Sequence, residues 1–287
     1  MLTPDLIKEI NEFVYKQPRT ITEVASIAKV SWLTADKYIT YISEKYGTIK
    51  VKTFRGGTRG AVKIVYWSNF DSLVKPSTAQ HILLEKIKYG KKKHDFNPFD
   101  IYNFVDENKK NAKAISMKNP HEQHLVNLLR GASRQLFIFS GNISFINSME
   151  GNIQLLNVLA DLARRKVNIK ILCRADIASI KNIKKIIEIN KTIGFDAVEI
   201  RHTEQPLRGF IIDDRIFRLR EEKAKKDYKE GELNDDLYIL YDINDRDWIE
   251  WGEKVFWNMY TNALPIENRI KELERIENLI SGNSMNI

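Results

Sequence analysis

The chain has a single cysteine, Cys173, in 287 residues. One thiol has no partner for an internal disulfide, which excludes a bridge-stapled secreted scaffold. Its neighbours Ile171 and Leu172 place it in a buried strand as a reduced thiol. Histidine is scarce too, with five residues. His121 and His124 stand three apart in HEQH, and no nearby cysteine or second histidine pair completes a metal site. The metalloprotease motif needs a spacing of four, with glutamate beside the first histidine. No metal and no cofactor is expected. No apolar run approaches the roughly 20 residues of a membrane span. Met1 to Ile10 carries acids where a signal peptide has bases and a long apolar core. A cytoplasmic protein without a membrane partner is expected.

What the chain does have is base, and in one place. The net charge is +8. Residues 1–94 hold 17 lysines and arginines against 8 aspartates and glutamates, whereas the remaining residues hold 29 against 30. A field confined to the first third calls for a polyanionic partner, nucleic acid foremost; the bland reading is a solubilising surface. The hydrophobic content of 43% is ordinary for a globular chain and argues against disorder. The length allows two domains.

Pro4 opens a helical pattern in which Leu6, Ile7, Ile10, Phe13 and Val14 recur at three- and four-residue spacing, and Pro18 stops it. Thr20-Ile21-Thr22-Glu23 reads as a capping box for a second helix, with Ile21, Val24, Ala25 and Ala28 on one side. Ala28-Lys29-Val30-Ser31 is the turn, and Ser31 is the N-cap of a third helix from Trp32 to about Tyr46 that buries Ala35, Ile39 and Ile42. The other face of that helix shows Trp32, Thr34, Lys37 and Tyr38, a mixture suited to base edges and phosphates. Gly47 ends the helix. Two alternating runs follow, 49–54 and 61–67, joined by Arg55-Gly56-Gly57-Thr58-Arg59-Gly60, whose glycines permit a tight tip.

The segment ITEVASIAKVSWLTADKYITYI resembles the helix-turn-helix of many prokaryotic transcription factors, and the basic hairpin after it is similar to the wing of a winged helix. That resemblance implies double-stranded DNA as partner. It assigns Ser31, Trp32, Thr34, Lys37 and Tyr38 to the recognition helix and Lys52, Arg55, Arg59 and Lys63 to the wing. A helical hairpin with a solvated β-hairpin is the reading without DNA.

Residues 76–130 read as a helical linker. Thr78–Lys88 and a segment restarting at Asn97-Pro98 are helical, Lys91-Lys92-Lys93-His94 is a basic knot, and Glu107–Lys118 is polar and reads as a hinge or loop. From Arg134 strands alternate with helices: strands at 135–140, 167–173, 197–201, 207–212, 215–219 and 237–241, and helices at 153–165, 177–192 and 248–260. This succession predicts an α/β sandwich. Glu221 to Asp236, dense in charge, reads as a mobile loop. Ile266, Ile270, Leu273, Ile276 and Ile280 stand at near-heptad spacing, which suits a dimer helix or a helix capping its own domain, the dimer being preferred.

The run LADLARRKVNIKILCRA, with VEIRHTEQPLRGFIIDDRIFRL after a helix, resembles one repeat of the phospholipase D superfamily. That family's signature is histidine, any residue, lysine, any four residues, aspartate. Here Asp213 takes the aspartate position, Arg208 the lysine position and Pro206 the histidine position. Proline has no nucleophile, and His202 lies four residues too early, as a surface residue at a strand end. The first step of covalent phosphoryl transfer therefore lacks its attacking group. Winged helix and degenerate phospholipase D-like domain together resemble the archaeal TrmB-type transcriptional regulators. That resemblance implies a homodimer and a possible small-molecule effector, with no effector-binding residue carried over.

The expected fold class is α/β: a winged helix-turn-helix over 1–75, a helical linker over 76–130 and a phospholipase D-like domain over 131–287, catalytically inactive. The expected function is a dimeric, sequence-specific DNA-binding regulator, not an enzyme. The alternatives are a phospholipase D-like nuclease targeted by the winged helix, and a chromatin or DNA-bridging architectural protein.

Overall fold

The computed structural model describes residues 2–55, 61–68, 76–119, 123–228 and 233–283. In chain order the helices and strands are α1 (Pro4–Lys16), β1 (Arg19–Thr20), α2 (Ile21–Ile27), α3 (Trp32–Tyr46), β2 (Ile49–Arg55), β3 (Ala61–Trp67), α4 (Pro76–Tyr89), α5 (Phe99–Phe104) and β4 (Lys110–Ser116). There follow α6 (Leu125–Arg130), β5 (Gln135–Ser140), β6 (Met149–Glu150), β7 (Ile153–Gln154), α7 (Leu155–Arg164), β8 (Asn168–Cys173), α8 (Ile180–Ile193) and β9 (Val198–His202). The last are β10 (Gly209–Ile212), β11 (Ile216–Lys223), β12 (Leu237–Ile243), α9 (Arg246–Asn262), β13 (Leu264–Pro265) and α10 (Ile266–Asn283). The protein is mixed α/β. It divides into two compact units, one of residues 1–83, 96–119 and 220–241, the other of 84–95, 120–219 and 242–287.

In the first unit, α1 buries Ile10 and Val14 against Ile21, Val24 and Ala25 of α2 and Ala35, Ile39 and Ile42 of α3. The caps are where the residue types put them. Thr20 accepts the Glu23 N–H at 3.2 Å while Glu23 takes the Thr20 N–H at 2.7 Å. Ser31 accepts the Thr34 N–H at 3.2 Å, and Gly47 closes α3 in the left-handed region at φ 63°, which a residue without Cβ adopts freely. The turn between α2 and α3 is made with Lys29 at φ 52°, held by the Val30 N–H bonding Ala25 O at 3.1 Å. Position 29 is one where glycine is usual.

Strands β1, β3 and β2 form an antiparallel sheet in that order, with Thr20 opposite Ile64 and Val51 opposite Val65. Alternation sends Ile49 and Val65 to the helices. Phe54 and Tyr66 go to the other face, where they meet Phe99, Tyr102 and Tyr241 with ring centroids 4.9–6.2 Å apart. Two segments read from their polarity as unstructured are ordered here. The stretch 107–118 holds β4, whose inward Ala114 and Ile115 are buried. Residues 221–223 continue β11, because the Glu221 carboxylate has partners: it pairs with Lys223 and accepts the Tyr241 hydroxyl at 2.7 Å. Residues 229–232 of that proposed loop lie outside the described residues.

In the second unit the strand order is β13-β9-β8-β5-β10-β11. Strands β5, β8 and β9 are parallel, while β10 and β13 run antiparallel to their neighbours. The run QLFIFS is buried on both faces, so it reads as a continuous apolar strand rather than an alternating one. Leu136 and Ile138 meet α7, α8 and α10 on one side. Phe137 and Phe139 meet α9 on the other, Phe137 stacking on Phe256 at 4.7 Å. Of the α10 stripe read as a dimer seam or a cap on its own domain, Ile266, Ile270 and Leu273 pack on this unit's core and Ile276 is 43% exposed; the side chain of Ile280 lies outside the described residues. Cys173 is buried, and burial pushes its thiol up to about 12. Among the described residues no helix is long and apolar enough to cross a membrane.

Replacing Thr20 by Ala removes one half of the α2 capping box. It should destabilise the chain by about 1 kcal/mol, read as a lower urea midpoint with an unchanged slope.

Candidate nucleic-acid interface

The side chains of α3 sort into two groups. Trp32 and Tyr38 are half-buried and pack against the core of α1–α3, so their rings are partly committed. The Ser31 hydroxyl caps the helix and lies 2.9 Å from that of Thr34, so the two hydroxyls satisfy one another. Lys37 is exposed. It shares a stripe with Leu33, which is 67% exposed, Tyr41 and Lys45, residues four apart and so on one face of the helix. The Lys45 ammonium bonds the Tyr41 hydroxyl at 2.6 Å, an interaction that raises its pKa. Leu33, Tyr41 and Lys45 were missed from the sequence, although stepping by four from Lys37 reaches all three.

The β2–β3 hairpin divides its cations between two faces. Thr53 lies opposite Lys63 and Arg55 opposite Ala61, on the same side as α3. The Lys63 ammonium sits 3.0 Å from both Asp36 carboxylate oxygens and 5.3 Å from the Trp32 ring, so it is an internal clamp between hairpin and α3. Arg55 is exposed at the end of β2. Lys52 has the opposite parity. It lies 5.0 Å over the Tyr102 ring and 3.3 Å from Glu107. Burial opposes its charge, but Tyr102 and Glu107 outweigh it and hold its pKa up. The structure thus puts Arg55 and the clamped Lys63 on the α3 side of the hairpin and sends Lys52 to the other, with Lys37 exposed on α3. Arg59, with the hairpin tip 56–60, lies outside the described residues.

The residues matched by resemblance to the phospholipase D signature flank β10 of the second unit. Arg208 lies before Gly209, which pairs with Phe139, whereas the Asp213 N–H bonds Gln135 O at 3.1 Å. Five residues of strand separate the two by roughly 16 Å. The Arg208 guanidinium donates to the carbonyls of Gln205 at 3.2 Å and Leu207 at 2.6 Å. Pro206, in the histidine position, is buried, and a Cβ on Gly90 would come within 2.7 Å of its ring. Asp213 is 2% exposed and sits at φ 50°, a conformation aspartate tolerates. Its carboxylate accepts the N–H groups of Ser133 (3.0 Å), Arg134 (2.9 Å) and Gln135 (2.9 Å) and the Ser133 hydroxyl (2.9 Å). Burial opposes the charge; those donors outweigh it and hold the carboxyl below its ordinary range. Asp213 is a cap for the entry to β5.

His202 is half-buried rather than a surface residue, because β9 lies inside the sheet between β8 and β13. Its Nδ1 accepts the Ala175 N–H at 2.9 Å. Burial, with the Arg269 charge, lowers its pKa and favours the neutral ring. His124 stands at φ 51° just before α6, and His121 lies outside the described residues. Among the described residues no group of three or more His, Cys, Asp or Glu is placed to hold a metal ion.

No family model matches the chain, and no curated protein does. Several solved structures are similar at low identity. Nuc of Salmonella typhimurium, a phospholipase D family member, is 11% identical with a TM-score of 0.39, over 55% of this chain and 98% of Nuc. TrmBL2, an archaeal chromatin protein with a novel mode of DNA binding, is 15% identical at 0.41, over 91% of this chain and 92% of its own. NucT from Helicobacter pylori is 15% identical at 0.40, over 55% and 99%. At such scores and identities these likenesses carry no argument about what this chain binds or does.

Asp213→Asn replaces one acceptor oxygen by an NH2 donor facing a row of donors and should cost about 1–3 kcal/mol. The stabilisation from the lowered carboxyl is complete above the unfolded value near 3.9 and is lost as pH falls through the folded value. Urea midpoints measured from neutral pH into acid should therefore fall more steeply for the wild type than for the variant; parallel curves would contradict the capping role.

Proposed function

We propose that the chain is a sequence-specific DNA-binding transcriptional regulator whose residues 1–75 form a winged helix-turn-helix. In this reading α3 enters the major groove and the β2–β3 hairpin, the wing, lies along the backbone. The observation that carries it is the exposed stripe of Leu33, Lys37 and Tyr41 on α3, beside a hairpin tied to the same helix by Lys63 and Asp36. The excess of basic residues in the first 94 supplies the attraction to phosphate. An exposed leucine and tyrosine next to a lysine offer apolar contact to thymine methyls and a donor to base edges.

The second unit, on this reading, is a phospholipase D-like scaffold that no longer catalyses and serves dimerisation and, where an effector exists, its sensing. Pro206 in the histidine position supports loss of chemistry, since nothing at that position attacks phosphorus. Retained cutting of plasmid DNA by the purified chain, abolished in His202→Ala, would instead favour the nuclease.

Binding to a site selected from random duplexes tests the main reading. Lys37→Ala should reduce preference at one base position by about 1–3 kcal/mol, and Arg55→Ala should weaken all duplexes and lower the salt slope by about one. Asp36→Asn, which removes a carboxylate from the basic face and frees the Lys63 ammonium, should strengthen non-specific binding at low salt. Failure of the full chain to bind any duplex at low ionic strength contradicts the reading.

A further inference from the structure

Residues 86–95 hold five lysines against one acid, and they belong to the second unit. Helix α4 ends here at Tyr89, and the Gly90 N–H closes it on Lys86 O and Ile87 O, each at 3.2 Å. Gly90 is buried against the Pro206 ring, where a Cβ would come within 2.7 Å, so the helix end is seated on its own unit. Asp95 then closes the loop in both directions. Its carboxylate accepts the N–H groups of Lys91 at 2.8 Å and Lys92 at 2.9 Å, and its own N–H donates to Lys92 O at 2.9 Å. The Lys91 and Lys92 N–H groups hold that carboxyl below its ordinary range.

The acid of the run is thus turned on the backbone, and the basic side chains are left outside. Lys91, Lys92, Lys93 and His94 are all exposed. Lys88 is paired with Glu85 at 2.9 Å, whereas among the described residues the ammonium groups of Lys91 and Lys92 have no ion pair. Tyr89 is 83% exposed, more than any other large hydrophobic residue among those described, and none of their rings meets it. A charge run alone is usually a solvated surface. This one adds a pinned backbone and a bare aromatic ring.

Single-stranded nucleic acid is the chemistry that uses both. Its phosphates take the lysines, and its bases offer faces on which a tyrosine ring stacks. In a duplex those faces are covered by neighbouring bases, so the ring would be idle. An anionic lipid surface would take the lysines but needs apolar area to bury, and besides Tyr89 the segment 84–95 has only the half-buried Leu84 and the buried Ile87.

We propose that Tyr89, Lys91 and Lys92 form a site for single-stranded nucleic acid on the second unit, the ring stacking on a base and the two ammonium groups neutralising phosphates. The site uses no residue of α3 or of the β2–β3 hairpin, so it stands apart from the duplex-binding reading.

Fluorescence anisotropy of the full chain with a short labelled oligothymidylate at low ionic strength tests it. The same strand annealed to its complement and anionic vesicles are separate arms, and thermal melts verify that each variant is folded. The wild type should bind the single strand. Tyr89→Ala should weaken that binding about tenfold, equivalent to about 1.4 kcal/mol, and leave duplex binding unchanged. Tyr89→Phe, which keeps the ring, should bind as the wild type does. Lys91→Ala with Lys92→Ala should lower the slope of log affinity against log salt by about 1.4, or about 0.7 per phosphate contact. No binding of the single strand, binding indifferent to Tyr89→Ala, equal losses on strand and duplex, or binding to vesicles in place of the strand each overturns the proposal. A chain that binds the single strand and no duplex keeps this site and sinks only the regulator reading.

Discussion

The first unit depends on a small sheet that is buried from both sides. Residues 64 and 65 of β3 are adjacent and both fully buried, one facing the aromatic cluster and the other the three helices. A strand in that position cannot slip by one residue without exchanging Ile64 for Val65 across two differently shaped cores. Its register is therefore fixed, and with it the parity of every hairpin side chain. Lys63 must face α3 and Lys52 must face Tyr102. The Lys63–Asp36 pair follows from that parity, and it in turn sets how the hairpin is held against the helix.

In the second unit the equivalent constraint is β5, covered by aliphatic residues on one face and phenylalanines on the other. Its entry is stitched by the Asp213 carboxylate through three consecutive backbone N–H groups. A carboxylate so satisfied has no spare lone pairs for chemistry. The aspartate that a motif reading singles out is here an architectural group, and Pro206 lies against Gly90.

Short-range features were legible in the sequence. The capping box at Thr20 and Glu23, the Ser31 cap, the glycine ending α3 and the apolar strands from 135 onwards all act within a few residues, so residue types in order suffice to place them. Long-range partnerships were not. The polar stretch 107–118 becomes β4 because β12 lies beside it, and Glu221 is held by a tyrosine twenty residues later. Among the candidate interface residues, the exposure of Lys37 and Arg55 could be read from period alone, whereas the engagement of Lys52 by Tyr102 and Glu107 requires α5 and β4 to be in position.

The amino-acid order by itself determined the local elements and the concentration of base in the first 94 residues, since each is a property of neighbouring residues or of composition. Tertiary structure decided which charges are free and which are spent. It grouped residues 220–241 with the first unit and turned Ile266, Ile270 and Leu273 of the α10 stripe inward. The reason is that a charge or an apolar stripe acts on whatever the fold brings within a few ångströms, and that neighbour is rarely the next residue in the chain.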